Sequence, residues 1–390
     1  MTQSPSFRMS DVIVIGGGLA GCATAYYLAR DGVSVTVLER GELNTQASGS
    51  NAGSLHAQIP HDPFVNKGAA WAAQFAPTVG LLRRSIEEWR GLDALLGEPL
   101  EVALKGGLLV ATTQRQMAEI AAKAEVERGQ GLDVRLLDRA GVRAIAPYLA
   151  DNVIGGAFCP DEGKANPLAA TLAYARAARA LGVRIERDMP VTGLVRERDG
   201  FAVQTPRGGL RARRVINAAG ANAGNVAALL GVKLEVQGFA IQVAVTERVD
   251  PFIAHLVYSA GEKLTLKQNG AGSVLIGGGW PARWHPRGHA VTDPDSLARN
   301  MAVALAAVPA LASLRVVRTW AAVVNGTDDW KPVVGEVPGI PGFYINFFPW
   351  MGFTAGPAMA RIVASLVQGV AAPFDIDLAP FLIGGTPVPH

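Results

Sequence analysis

The run Gly16-Gly17-Gly18-Leu19-Ala20-Gly21 constrains this chain more than any other feature. It has the spacing G-x-G-x-x-G, which carries meaning only between a strand and a helix. Asp11–Ile15 reads as a short buried strand, Leu19–Arg30 as a helix and Val33–Leu38 as a second buried strand. That is a β-α-β unit with parallel strands. Gly16 permits the tight turn, Gly18 lets a pyrophosphate approach the backbone, and Gly21 lets the helix lie close to the sheet. The start of the helix offers Leu19 and Ala20 N–H groups and a positive dipole end to the phosphates. Glu39 follows Gly21 by eighteen residues and can accept hydrogen bonds from a ribose diol, with Arg40 beside it. A 2′-phosphate would be repelled there. The first expectation is therefore a dinucleotide-binding domain at the N-terminus.

Composition limits what else the chain can be. It has 390 residues, 49% apolar and 18% charged, enough for about two domains with sizeable cores. Lys and Arg exceed Asp and Glu by only three, and there is no dense basic run, which argues against nucleic acid. Two cysteines, Cys22 and Cys159, do not make a disulfide framework and fit a reducing cytoplasm. The N-terminus MTQSPSFRMS has no signal-type apolar stretch. No metal site is expected: the six histidines, His390 among them, show no metal-ligand spacing, and His285 and His289 straddle Pro286 and Gly288.

Further along, residues 71–97 read as helical with a break at Pro77, 101–113 as a strand pair, and 114–146 as helix broken by glycines. A helix is expected from Asn166 to about Ala180. Asp199-Gly200 marks a hairpin, Val215–Asn217 a strand, Phe343–Phe348 a strand and Pro357–Gln368 a helix. Residues 234–324 alternate strand-like runs with one helix near Asp295–Ala307, as in an antiparallel α+β region.

The dinucleotide motif suits FAD and NAD equally. Five segments together resemble the D-amino-acid oxidase, glycine oxidase and sarcosine oxidase superfamily of FAD enzymes, from about Ser10 to Gln368. They are the dinucleotide unit, Ala47-Ser48-Gly49-Ser50-Asn51-Ala52-Gly53, Pro160 to Pro167, Val215 to Gly220, and Trp320 to Ala358 with its Gly352-Phe353-Thr354-x-x-Pro357. The resemblance implies an α/β (α+β overall) fold: a Rossmann-like FAD-binding domain of the glutathione-reductase type, with an inserted substrate domain on a mainly antiparallel sheet. The expected boundaries are 10–85, 150–233 and 325–390 for the FAD domain, and 86–149 and 234–324 for the substrate domain.

The cofactor contacts implied comprise Gly16, Gly18, Leu19, Ala20, Gly21, Glu39 and Arg40. They continue with Ala47, Ser48, Ser50, Asn51, Ala52, Gly53, Ser54 and Leu55. Val191, Ala218, Ala219, Gly220, Gly352, Phe353 and Thr354 complete them. A helix beginning near Gly352 would aim N–H groups at the flavin edge that becomes negative on reduction. FAD is expected to be non-covalent, since no Cys lies near 320 and His56 does not align with the linking His of some relatives.

The activity implied is oxidation of a small amine or amino acid to an imine by hydride transfer to flavin N5. The substrate could be a D-amino acid, an N-alkyl amino acid or an opine. No catalytic base is required; His56 is the candidate if one exists. The family places a carboxylate-binding Arg where this chain has Val324, so substrate anchors are sought at His56, Lys267, Asn325, Phe348, Trp350 and Arg283. Each also suits a plain role: a loop histidine, a solvated strand face, a solvated loop arginine, or core aromatics. The segments around Glu162–Pro167, Lys263–Gln268 and Gly277–Trp280 look most like the bacterial branch containing opine oxidase and D-hydroxyproline dehydrogenase catalytic subunits. That branch implies electron-transfer partner subunits and leaves room for an oligomer. The competing readings are an FAD-dependent 2-hydroxy-acid dehydrogenase, a flavin-bearing subunit without turnover, and an NAD enzyme.

Overall fold

A computed structural model describes residues 9–383; the segment 1–8 and His390 lie outside the described residues. The chain divides into two compact units. One comprises Met1–Gly49, Leu168–Gly238 and Val324–His390, the other Ser50–Pro167 and Phe239–Val323.

The first unit is built on a parallel sheet. Its strands run in the order Val333–Glu336, Phe343–Phe347, Gly208–Asn217, Met9–Ile15, Val35–Leu38 and Arg184–Glu186. All neighbours are parallel except the antiparallel Val333–Glu336, and the hairpin Gly193–Glu197/Gly200–Thr205 extends the long strand at its side. Val35–Leu38 is buried along its whole length, as expected of a strand covered on both faces. Helix Leu19–Arg30 buries ten of its twelve residues, because helix Gly352–Gln368 covers it. The contact is close: a Cβ on Gly356 would stand 2.7 Å from the Leu19 side chain. Ile13, Phe201, Val215, Phe343 and Ile345 form the centre of this unit's core.

The second unit carries an eight-stranded sheet in the order Val316–Gly326, Gln237–Arg248, Ser273–Gly277, Thr265–Gln268, Leu256–Ser259, Gly107–Ala111, Gly155–Cys159 and Arg135–Asp138. Leu256–Ser259 and Gly107–Ala111 pair in parallel, and the registers from Gln237–Arg248 to Leu256–Ser259 and from Gly107–Ala111 to Arg135–Asp138 are antiparallel. Helix Pro294–Ala307 and residues 142–153 close one face over Leu108, Val257, Leu266 and Ile276. The expected mixed α/β class, parallel in one part and mainly antiparallel in the other, is what the chain adopts.

Several element boundaries differ from expectation. The helix expected at 71–97 spans His61–Arg90 and runs through Pro77; the residue with non-helical angles is Gly68, at φ 79°. A separate turn, Leu92–Leu96, ends at left-handed Gly97. Residues 101–113 supply one strand rather than a pair, Gly107–Ala111, with a lone bridge from Ala103 to Lys164. The helical region 114–146 contains a strand: Gln114–Gly129 and Arg139–Ile145 flank Arg135–Asp138. That strand lies at the sheet edge and is mostly exposed, so it shows no alternation of buried and exposed residues. The C-terminal helix begins at Gly352, five residues before Pro357.

Candidate functional site

In the first unit, the glycine turn is fixed by what a side chain would strike. Gly16 has φ 111°, and a Cβ there would meet the Ala218 carbonyl oxygen at 2.4 Å. At Gly21 a Cβ would lie 1.9 Å from the Gly16 carbonyl oxygen. Both positions therefore admit only glycine. Ser48 closes over Gly18, and its Oγ accepts a hydrogen bond from the Leu19 N–H at 3.0 Å. The Glu39 carboxylate accepts from the Gly17 N–H at 2.7 Å and from the Gly41 N–H at 2.9 Å. Glu39 thus braces the turn at the place where a ribose would be met. Arg40 next to it is exposed.

The Ala218-Ala219-Gly220 segment leaves its strand directly over the turn. Ala218 N–H donates to the Ile15 carbonyl at 2.9 Å, and Asn217 holds the bend through the Ala223 carbonyl at 2.8 Å and the Ala219 N–H at 3.3 Å. Val191 lies against the core, two residues beyond Met189, whose N–H donates to the Glu39 carbonyl.

Helix Gly352–Gln368 starts beside the start of helix Leu19–Arg30, as the Gly356–Leu19 approach requires. Gly352 and Phe353 are half-buried and Thr354 is buried. The entry is a tight turn with Trp350 at φ 60°. Asn325 clips that turn: its Nδ2 donates to the Phe348 carbonyl at 2.8 Å, and its carbonyl accepts from the Trp350 N–H at 2.9 Å. Trp350 stacks on Trp330 at 5.0 Å and donates through Nε1 to the Thr327 carbonyl. Asn325 and Trp350 are accordingly braces of the helix entry, and Phe348 is core. Two adjacent helix N-termini, one bearing a glycine cradle that any Cβ would fill, fit a group with both a diphosphate and an electron-accepting ring. These residues fit FAD.

The second unit takes up the chain at Ser50. Its carbonyl accepts from Trp320 Nε1 at 2.7 Å, and Asn51 Oδ1 accepts from the Gly53 N–H at 2.7 Å. Ala52 is half-buried on that turn. Gly53 has φ 76°, and a Cβ there would meet the Ala165 carbonyl oxygen at 2.2 Å. Ser54–Leu55 then pairs with Gly163–Lys164. Lys267, 2% exposed, donates to Ser54 Oγ at 2.5 Å. Burial and the nearby Lys164 pull its pKa down to about 7. The alternative of a solvated strand face does not hold for this residue. Its neighbour Gln268 is structural: it accepts from the Phe252 and Ile253 N–H groups.

His56 follows directly after the strand Ser54–Leu55. Its Nδ1 lies 2.6 Å from the Tyr258 hydroxyl, and burial together with Lys267 pushes its pKa down to about 3, so the ring is neutral. Behind it the backbone is gripped by carboxylates. The Ala57 and Gln58 N–H groups donate to Glu162 at 2.6 and 2.7 Å, and the Ile59 N–H donates to Glu127 at 2.7 Å. Arg283, by contrast, is exposed on a short hairpin away from this cluster's strands. His285 and His289, which straddle Pro286 and Gly288 and lie on no helix, stack across that hairpin at 4.5 Å. Among the described residues, no group of three or more His, Cys, Asp or Glu gathers to hold a metal ion.

Sequence reasoning missed Tyr258 and the buried Lys123–Glu127 pair. An aromatic on a strand and an i, i+4 pair on a charged helix carry no signal that separates them from core and surface. Glu162 was visible only as part of a family segment.

The sequence profile described as DAO, FAD dependent oxidoreductase, matches residues 11–366. The chain is 30% identical over 387 residues to "Sarcosine oxidase subunit beta" of Rhizobium meliloti (strain 1021), covering 94% of this chain and 88% of that one. Among solved structures, glycine oxidase from Geobacillus kaustophilus superposes with a TM-score of 0.83 at 24% identity, over 96% of this chain and 98% of that one. L-proline dehydrogenase from P. horikoshii gives 0.84 at 24% identity, over 96% and 97%. At that identity the two structures speak for the fold.

Proposed function

The chain belongs to the DAO family of FAD-dependent oxidoreductases, and from that premise we propose that it oxidises a secondary amine bearing a carboxylate. It is an amine or amino-acid oxidase or dehydrogenase acting on CH–NH groups. Sarcosine and proline, named in relatives at similar coverage, are both carboxylated secondary amines. When bound, FAD supplies the acceptor for the hydride that leaves the substrate Cα as the C=N bond forms. The chain's own residues bind, orient and desolvate.

One observation carries the reading. The segment whose Ser48 accepts from the Leu19 N–H continues within eight residues into Ser54, which accepts from the buried Lys267, and His56, whose ring is neutral. The carboxylate-binding Arg that the resemblance implies is absent at Val324, and we assign its charge to Lys267, a buried cation of the second unit. A substrate carboxylate approaching Lys267 favours its charged form and would raise its pKa again. Lys is a point charge, which suits a carboxylate held by one oxygen rather than the fork geometry of Arg.

FAD is held without a covalent bond in this reading. Cys22 is buried with its thiol pKa raised to about 12, and burial raises the Cys159 thiol as well, so neither offers a thiolate. Within the family, the opine oxidase and D-hydroxyproline dehydrogenase branch gives the favoured substrates, with electrons passed to partner subunits. That the sarcosine oxidase relative is a beta subunit supports a chain that works in a complex.

The test is anaerobic mixing of the purified yellow protein with sarcosine, both enantiomers of proline and hydroxyproline, opines and 2-hydroxy acids. Bleaching of the flavin by the secondary amino acids is expected. Bleaching by hydroxy acids alone would replace this reading with the alcohol-oxidising one. Flavin that stays yellow with every amine and every hydroxy acid would leave a subunit without turnover.

A further inference from the structure

Beyond the strand Ser54–Leu55 the chain runs outside any strand or helix until His61, yet Ala57, Gln58 and Ile59 are buried. Their N–H groups have no ladder partner and are shielded from water, so they need acceptors from within. All three find carboxylates: Ala57 and Gln58 donate to Glu162 Oε1 at 2.6 and 2.7 Å, and Ile59 donates to Glu127 at 2.7 Å. Pro60, with no N–H to place, ends the run. The neighbouring strand makes room for Glu162: a Cβ on Gly107 would stand 1.8 Å from its Oε2. All of these residues belong to the second unit.

The order of donors and acceptors around Gln58 is fixed. Lys123 can only donate, and it donates to Gln58 Oε1 at 3.2 Å. Gln58 must therefore present Nε2 on its other side, where it donates to Glu162 Oε2 at 2.9 Å. Glu162 accepts at both oxygens, so its carboxylate cannot be exchanged for an amide without pointing two donors at each other. Turning Gln58 over moves the conflict to Lys123 and does not remove it. The segment is thus held at two ends. Ser54 and Leu55 are fixed by pairing with Lys164 and Gly163, and Ala57 and Gln58 by the carboxylate of Glu162, the residue just before that paired strand. Ser54, at the near end, accepts from the Lys267 amine at 2.5 Å.

We propose that Glu162 is a positioning residue for the amine oxidation: by holding the backbone at 57 and 58 it keeps Ser54 Oγ against the Lys267 amine, an inference that rests on the reading of Lys267 as the carboxylate anchor. Glu162 touches neither substrate nor flavin in this role and changes no bond. Its effect reaches the reaction through the aim of one amine, so it falls on substrate binding, equally in the ground and transition states. Glu127 holds the next N–H, and Lys123, paired with Glu127, sets the orientation of Gln58, so the three charged side chains act as one clamp.

Glu162→Gln in the flavin-loaded full chain tests this, with sarcosine and proline as probes. The concentration that half-saturates anaerobic flavin reduction is expected to rise roughly tenfold, while the limiting rate stays within about twofold. Hydrogen exchange read by mass spectrometry is expected to show lost protection over 54–59. The rescue is Gln58→Glu combined with Glu162→Gln. There a carboxylate at 58 accepts from Lys123 and from the amide at 162, whose oxygen keeps both backbone N–H groups, so every donor has an acceptor again. That double variant is expected to regain the wild-type half-saturation and exchange, and it decides alone if Glu162→Gln does not fold. Unchanged exchange over 54–59 in Glu162→Gln, or loosened exchange with unchanged half-saturation, would overturn the proposal. So would a double variant that regains the melting midpoint but not the half-saturation, or that fails to fold. If no amine bleaches the wild-type flavin, the amine reading fails by itself, and exchange over 54–59 in the two variants still decides the clamp.

Discussion

At the scale of single residues, glycines and one lysine carry most of the consequence. Gly16→Ala would force a side chain onto φ 111° and into the Ala218 carbonyl. Such strain costs roughly 1–3 kcal/mol before the clash is counted, so FAD affinity by titration is expected to fall at least tenfold. Unchanged affinity would mean the turn does not face the phosphates.

Lys267 makes a different prediction, about pH. Its pKa is about 7 in the folded chain and 10.5 as an ordinary lysine. Between those values the unfolded chain binds more protons, so stability rises with pH; below about 7 the full cost of burying the amine is present. Lys267→Met is therefore expected to raise the melting midpoint at pH 6, by on the order of 3 kcal/mol of stability, and by much less near pH 10. A gain that does not vary with pH would contradict the assignment. That Lys267 is buried could not be read from Thr265–Gln268: the strand pattern allows either face for a lysine, and only the pairing with neighbouring strands settles which. The glycine turn was readable because its partners, a strand before and a helix after, lie within six residues.

Among elements, helix Gln114–Gly129 is the most informative. Lys123 and Glu127 form an ion pair in which both side chains are fully buried, and Glu127 also holds the Ile59 N–H. Removing one partner of a buried pair strands the other charge, at a cost of about 3–5 kcal/mol. Lys123→Met alone is expected to destabilise by about that much, and Lys123→Met with Glu127→Gln by markedly less, a coupling that chemical denaturation of the two single and one double variant measures. Additive losses would mean the pair is not coupled. The helix itself was legible, Thr113 forming a capping box with Gln116, but its buried face was not, because the charges on that face look like a solvated surface. Strand Arg135–Asp138 was hidden for a related reason: an exposed edge strand has no apolar face to imprint a period on the sequence. Strand Gly208–Asn217 was seen only in its last three residues, since Arg211, Arg213 and Arg214 mask the rest.

For the whole molecule, the order of segments matters. Five pieces of chain alternate between the two units, so neither unit is a contiguous stretch that sequence reading alone could cut out. The cofactor half was readable because its signals are local and each is tied to backbone conformation. The second unit was read as a set of separate candidates. There Lys267 meets Ser54 at 2.5 Å and His56 meets Tyr258 at 2.6 Å, contacts between distant stretches of chain that no local pattern announces. Among the described residues no helix is long and apolar enough to cross a membrane.

All of this depends on one molecule of FAD resting on the paired helix starts at Leu19 and Gly352. Purified protein, denatured in acid and centrifuged, is expected to release close to one FAD per chain into the supernatant. Apo-protein refilled with FAD at a hundred times its dissociation constant should gain about 2.7 kcal/mol in stability. Protein that is colourless and takes up no FAD when offered it would contradict the account at its centre.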